Sequence, residues 1–256
     1  MADKEIMKYK ILNTLGLVAV VYVNYLANAL PINGFTTGQL SDFYPNLFVP
    51  AGVTFSIWGI IYLSLIGFII GQWLKSYENI VDKIGYVFFF NCLMNMSWIV
   101  AWHYRQEELS LLIMLMLLVS LIKLFHVTQT QIRSSFLNSL LFKIPFSIYF
   151  SWICVATIAN STTVLVSWGF RPSGQEYWAA ALILVTQALV WLINSNYAGL
   201  AYTLVIIWAI SGIIIKQNNL QGPDLIIYTG YACITASVGI FTYKALVDKT
   251  KSSVRN

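Results

Sequence analysis

The residues of this sequence that could do chemistry are indoles, phenols and carboxamides set at helical spacing. Asn91, Asn95, Trp98 and Trp102 fall at i, i+4, i+7 and i+11, a single stripe down one helix face. Tyr149, Trp152, Ala156 and Asn160 form a comparable stripe, and Trp58 and Tyr62 stand one turn apart. Proton and metal chemistry have little to work with. No Asp or Glu lies inside an apolar run away from its ends, which removes the usual carboxylate relays and coupling-ion sites. His103 and His126 fall near opposite membrane faces and cannot share a metal. Ser/His/Asp, HExxH, P-loop and GxGxxG patterns are absent, so no catalytic residue is assigned and the balance leans away from an enzyme. Binding is the chemistry that remains: aromatic walls stack on flat apolar molecules, and a few amides or hydroxyls fix their orientation. The competing reading is architectural, with amides gluing helices together and Trp and Tyr forming interfacial belts.

The elements that must carry these stripes follow from composition. Hydrophobic residues make up 58% of the 256 and charged residues only 10%, with a mean hydropathy of +0.71, whereas soluble domains are roughly a quarter charged. Lipid absorbs that excess, since each crossing takes about 20 mostly apolar residues. Eight runs of that length occur, over 9–30, 51–74, 84–103, 109–127, 137–160, 177–194, 197–215 and 225–246. Backbone polar groups must be satisfied internally in hydrocarbon, so the runs are helices. The fold class is all-α: a polytopic bundle of about eight transmembrane helices.

Basic residues mark the sides. With an inner N-terminus, Lys4, Lys8, Lys10, Lys75, Lys83, Lys123, Arg133, Lys244, Lys249, Lys251 and Arg255 fall inside, against Arg105, Arg171 and Lys216 outside. That bias is coherent with both termini cytoplasmic, in a plasma or inner membrane. The net charge of +5 therefore reads as a topology signal and not as a nucleic-acid face. Residues 1–10 are basic and precede an apolar run without a small-residue cleavage site, so a retained first helix is expected. Lys143 is the basic residue left inside a span, and its stem is expected to snorkel to the inner interface. Cys92, Cys154 and Cys233 sit in apolar runs without metal or redox spacing and read as packing residues. Residues 31–50, rich in Gly, Pro and aromatics, have the length of a lid. Residues 161–176 form a second loop on the same side, and Pro145 is the one hint of a helix break.

The stripes resemble the tryptophan-rich sensory protein family, the bacterial TspO and mitochondrial translocator group. Pro45, Pro50, Trp58 and Tyr62 keep the family's proline-rich entry and its Trp and Tyr four apart. Asn91-Cys-Leu-Met-Asn95-Met-Ser-Trp98 matches its Gln-x-x-x-Asn-x-x-Trp, with Asn for Gln. Tyr149-Phe-Ser-Trp152-Ile-Cys-Val155-Ala156-Thr157-Ile-Ala-Asn160 is similar to its fifth helix, with Ile148 at a Pro position and Val155 at a Phe. The departures are a first helix closing on Asn24-Tyr25, Leu47 where a Trp is usual, Phe55 near the place of a helix-two Pro, and three helices beyond the usual five.

That resemblance implies a five-helix core over 1–160 followed by a three-helix membrane extension over 161–256. It implies an intramembrane pocket lined by Trp58, Tyr62, Asn95, Trp98, Tyr149, Trp152, Ala156 and Asn160. The ligands implied are flat and hydrophobic: porphyrins, haem or other tetrapyrroles, and sterol- or isoprenoid-like molecules. The protein would then be a sensor or carrier, with light-dependent tetrapyrrole breakdown as a further implication. A membrane enzyme acting on a lipid, isoprenoid or tetrapyrrole and a secondary transporter stand as alternatives. In the last helix, Ala232/Ala236 and Thr235/Gly239 are spaced for close helix approach, either on the core or across a homodimer seam.

Overall fold

The computed structural model describes residues 2–197 and 199–253, with side chains over 3–197 and 199–244. Among these residues there is no strand. The chain forms α1 (Ala2–Ala29), α2 (Thr37–Ser41), a 3-10 turn (Gly52–Ser56) leading into α3 (Ile57–Gln72), α4 (Glu78–Ile84), α5 (Val87–His103) and α6 (Glu107–Gln131). The one-turn α7 (Phe136–Asn138) and a π-helical turn (Ser139–Lys143) lead into α8 (Ile144–Ser167). Then follow α9 (Gln175–Asn196), α10 (Leu200–Asn219) and α11 (Asp224–Ser253). Seven helical stretches are long and apolar enough to cross a membrane on their own, and the segment Lys75–Ile84 joined to α5 through a 61° bend makes an eighth. The protein is an all-α polytopic integral membrane protein.

The bend before α5 is built into the backbone at Gly85, which adopts φ 54° and ψ −134°, a region that side chains exclude. It turns α4 away from α5, so the segment that carries Lys75, Glu78, Asp82 and Lys83 is set at an angle to the crossing.

The helices gather into two units. The first comprises Met1–Pro45 and Phe55–Phe170. Within it α6 packs against both α5 and α8, and α1 against α5 and α3. Its deep core is a phenylalanine cluster in which Phe68 touches Phe88, Phe146 and Phe142 at centroid distances of 4.8, 5.0 and 5.8 Å. The expected break at Pro145 is present as the π turn immediately before it, where proline has no N–H to continue the regular ladder. Lys143 reaches Ser134 in the loop between α6 and α7 with a 3.1 Å hydrogen bond, the geometry of a snorkelling side chain.

Helix α8 runs to Ser167, past the Asn160 end expected for the fifth span, so the second loop is shorter than residues 161–176. The reason lies in three consecutive polar residues. Ser161, Thr162 and Thr163 turn their hydroxyls back onto the carbonyls of Thr157, Ile158 and Ala159, at 2.8, 2.9 and 3.2 Å. Their polarity is thereby satisfied inside the helix and need not end it.

The second unit comprises Asn46–Thr54 and Arg171–Asn256, in which α9 and α10 both pack against α11. The strap Asn46–Thr54 lies on α10. Ala51 N–H donates to the Gly212 carbonyl (3.0 Å), Trp208 Nε1 to the Thr54 carbonyl (3.0 Å) and Gln217 Nε2 to the Leu47 carbonyl (2.9 Å). Gly212 permits the approach, since a Cβ there would fall 2.0 Å from Thr54 Oγ1. Lys244 Nζ donates to the carbonyls of Asn194 and Tyr197 and so caps the end of α9. The expected inner placement of Lys249, Lys251 and Arg255 concerns side chains outside the described residues.

Candidate ligand site

Helices α3, α5 and α8 each turn one aromatic stripe into the first unit. Trp58 on α3 is the hub. Its ring lies 5.7 Å from Tyr62, stacked at 19°, and 6.1 Å from Trp98 on α5. On α8, Tyr149 and Trp152 meet it edge-on at 6.0 and 6.3 Å. Trp58, Trp98, Tyr149 and Trp152 are all buried. These are contact distances, so the rings pack on one another between the three helices.

The amides divide the labour differently. Asn95 accepts from Asn24 Nδ2 (2.9 Å) on α1 and donates to the Tyr149 hydroxyl (2.8 Å) on α8, tying three helices at one point. Asn91 donates to Ser120 on α6 (2.8 Å). Asn160 and Ser110 exchange hydrogen bonds of 2.9 and 3.2 Å between α8 and α6. Each amide is thus spent on holding helices together, the use the architectural reading expects.

Four of the aromatic polar atoms are not spent in this way. Buried Trp58 Nε1, Trp98 Nε1, Trp152 Nε1 and the Tyr62 hydroxyl have no hydrogen-bond partner. Tyr62 lies within electrostatic reach of the Asn95 amide but without hydrogen-bond geometry. An unmade hydrogen bond in the interior costs about 1–3 kcal/mol per group. These four groups sit on neighbouring rings.

Of the residues expected at the site, Trp58, Tyr62, Asn95, Trp98, Tyr149 and Trp152 come together. Ala156 sits one turn beyond Trp152, half-buried, and the amide of Asn160 is directed to α6. Residues that were not expected to line the pocket complete the cluster. Asn24 is the partner of Asn95, and Phe55 meets Trp152 edge-on at 5.8 Å. Trp102 stacks on Trp98 at 5.8 Å and 17°, and Tyr44 follows at 6.2 Å from Trp102. In the sequence Trp102 belongs to the α5 stripe, and Asn24 and Phe55 stand out only as departures from the family pattern.

The segment before the strap closes the end of α5. A capping box between Thr36 and Gln39 starts α2. Trp102 Nε1 donates to the Thr37 carbonyl (3.2 Å), and Asn33 Nδ2 donates to the His103 carbonyl (3.0 Å). His103 Nδ1 bonds the Ile32 carbonyl (3.0 Å), which fixes the proton there and leaves Nε2 to accept from the Thr37 hydroxyl (3.1 Å). Tyr44 donates to the Glu107 carboxylate, and burial together with that carboxylate raises its phenol above the ordinary tyrosine range. No group of His, Cys, Asp and Glu that could hold a metal occurs among the described residues.

No curated protein and no solved structure gives a significant match to the chain. A family profile described as TSPO-like protein matches residues 10–243, running from α1 through all three C-terminal helices. With aromatic stripes on α3, α5 and α8 meeting at Trp58 and a match over nearly the whole length, the chain belongs to the TSPO-like protein family.

Proposed function

We propose that this protein is a membrane-embedded sensor or carrier that takes up flat, hydrophobic molecules of the porphyrin class between α3, α5 and α8. The observation that carries the reading is the set of four unpartnered donors on touching rings. Indole N–H groups donate and cannot accept, and no residue of the cluster is charged. The ligand complementary to such a lining is a flat apolar body bearing neutral hydrogen-bond acceptors, such as ring nitrogens, ketones or esters. Entry requires the touching rings of Trp58, Trp98 and Trp152 to part, so that their N–H groups face the ligand. Each acceptor it supplies recovers part of the cost of a lone donor. Both termini on the cytoplasmic side of a plasma or inner membrane complete the proposal.

The test is titration of the purified protein with protoporphyrin IX and with its dimethyl ester, following tryptophan fluorescence. The ester is expected to bind at least as tightly as the diacid, and Trp58→Ala with Trp152→Ala to weaken both more than about tenfold. Unchanged affinity in both variants would remove this cluster as the site.

A redox reading rests on one further observation, the unbroken row Tyr62, Trp58, Trp98, Trp102, Tyr44, with successive rings 5.7–6.2 Å apart. A photoexcited ligand would take one electron from Trp58. The hole would pass along the row to Tyr44, whose proton goes to Glu107. Illumination of the porphyrin-loaded protein in frozen solution should then give a tyrosyl radical signal that Tyr44→Phe removes. A signal that persists in that variant contradicts the relay.

A further inference from the structure

His103 closes α5 and is fully buried, whereas the other histidine, His126, is exposed. What covers His103 is the segment 31–45, and three hydrogen bonds between that segment and α5 pass through this one residue. Its Nδ1 donates to the Ile32 carbonyl (3.0 Å), its Nε2 accepts from the Thr37 hydroxyl (3.1 Å), and its carbonyl accepts from Asn33 Nδ2 (3.0 Å). A fourth joins the neighbouring Trp102 Nε1 to the Thr37 carbonyl (3.2 Å). The segment thereby lies over the Tyr44 end of the aromatic row, with Thr37, Leu40, Ser41 and Tyr44 buried.

This docked geometry suits the neutral ring. A neutral imidazole offers one N–H and one lone pair, and both are used. A proton added at Nε2 turns that nitrogen into a donor, so the Thr37 hydroxyl must rotate to accept and its own hydrogen loses its partner. The charge would also sit out of water, which burial disfavours unless a counter-ion is close. The segment and α1 offer little: residues 31–41 and 11–29 contain no Asp, Glu, Lys or Arg. The ionisable groups around this end are Asp42 and Tyr44, Tyr104 and Arg105 just past His103, and Glu107 and Glu108 at the start of α6. Glu107 accepts from Tyr44, Glu108 accepts from Trp168, and Asp42 is exposed. Arg105 lies over the Phe43 ring at 5.4 Å and adds a positive charge to the same end. The C-terminal dipole of α5 acts in the opposite sense and favours a cation, but the Asn33 amide already meets the His103 carbonyl. Once the segment lifts, the ring reaches water and takes a proton at the ordinary imidazole value of about 6.5. The released form therefore binds that proton more readily than the docked form, and falling pH favours release.

We propose that residues 31–45 are an acid-released latch: a proton on His103 frees them from the end of α5 and uncovers Trp102 and the Tyr44 end of the aromatic row. The movement stands whether or not the cluster binds porphyrins, and only its use as a gate for ligand rests on that reading.

The test is a pulsed EPR distance measurement on the full-length protein in nanodiscs without ligand, with nitroxides on Phe35→Cys and Leu109→Cys. Both positions are exposed and the native cysteines are buried. One short distance is expected at pH 8, and at pH 5 a second, longer one that holds at least about half of the population. His103→Gln keeps a donor and an acceptor but does not titrate, and should give the pH 8 distribution at both values. Thr37→Val is an independent arm should that variant fold poorly. It weakens docking without touching the titrating group, and the transition should move about one unit to higher pH. Glu107→Gln and Asp42→Asn should keep the transition. Identical distances at pH 8 and pH 5 would overturn the latch, as would a transition that persists in His103→Gln or disappears in Glu107→Gln or Asp42→Asn.

Discussion

At the scale of single residues, amides and indoles of the same stripes do different work. Asn95 is fully used between Asn24 and Tyr149, while the indoles beside it keep unpartnered donors. The two classes of substitution should therefore separate. Asn95→Ala strands the Tyr149 hydroxyl and part of the Asn24 amide, and thermal unfolding in detergent should show a loss of about 2 kcal/mol. Trp152→Phe keeps a ring but removes a lone buried N–H. It should leave the free protein as stable as the parent or stabilise it by up to about 1 kcal/mol, while porphyrin affinity falls about tenfold. Loss of stability in Trp152→Phe with binding intact would reverse the assignment. The stripes themselves were legible in the sequence because helical spacing alone places Asn95, Trp98 and Trp102 on one face. Which polar group would find a partner was not legible, because Asn24, Ser110 and Ser120 come from other helices and no local pattern announces the pairing.

At the scale of elements, backbone geometry decides where spans begin and end. The sequence located the eight apolar runs, since a long uncharged stretch has no other stable form in lipid. It misjudged the end of α8 because Ser161, Thr162 and Thr163 look like a loop yet bond back to their own helix. It did not reveal that Asn46–Thr54 lies on α10, a pairing of backbone carbonyls with Trp208 and Gln217 from far along the chain. Gly212→Ala tests that strap directly, because the added methyl would sit 2.0 Å from Thr54 Oγ1. The Ala51 amide, which donates to the Gly212 carbonyl, should lose its hydrogen-exchange protection while amides of the deep phenylalanine cluster keep theirs. Gly85→Ala should cost about 1–3 kcal/mol through the bend before α5, since the native φ of 54° and ψ of −134° exclude a side chain.

At the scale of the whole molecule, composition established the membrane class and the family match spans both units. Sidedness is a prediction from the distribution of Lys and Arg. The native cysteines are buried, so Lys4→Cys and Ser173→Cys should be labelled by an impermeant maleimide from opposite sides, the former only from the cytoplasm. Labelling of both from one side would contradict the topology. The central claim is that the unpartnered donors of α3, α5 and α8 exist to meet a ligand, and ¹⁵N indole spectroscopy reads those atoms directly. On addition of protoporphyrin dimethyl ester, the Trp58, Trp98 and Trp152 indole N–H resonances should shift as they acquire acceptors. Those of Trp73, Trp102, Trp168 and Trp208, already hydrogen-bonded, should stay in place. Saturating ligand that leaves the first three unmoved, or moves all of these indoles alike, would contradict the account.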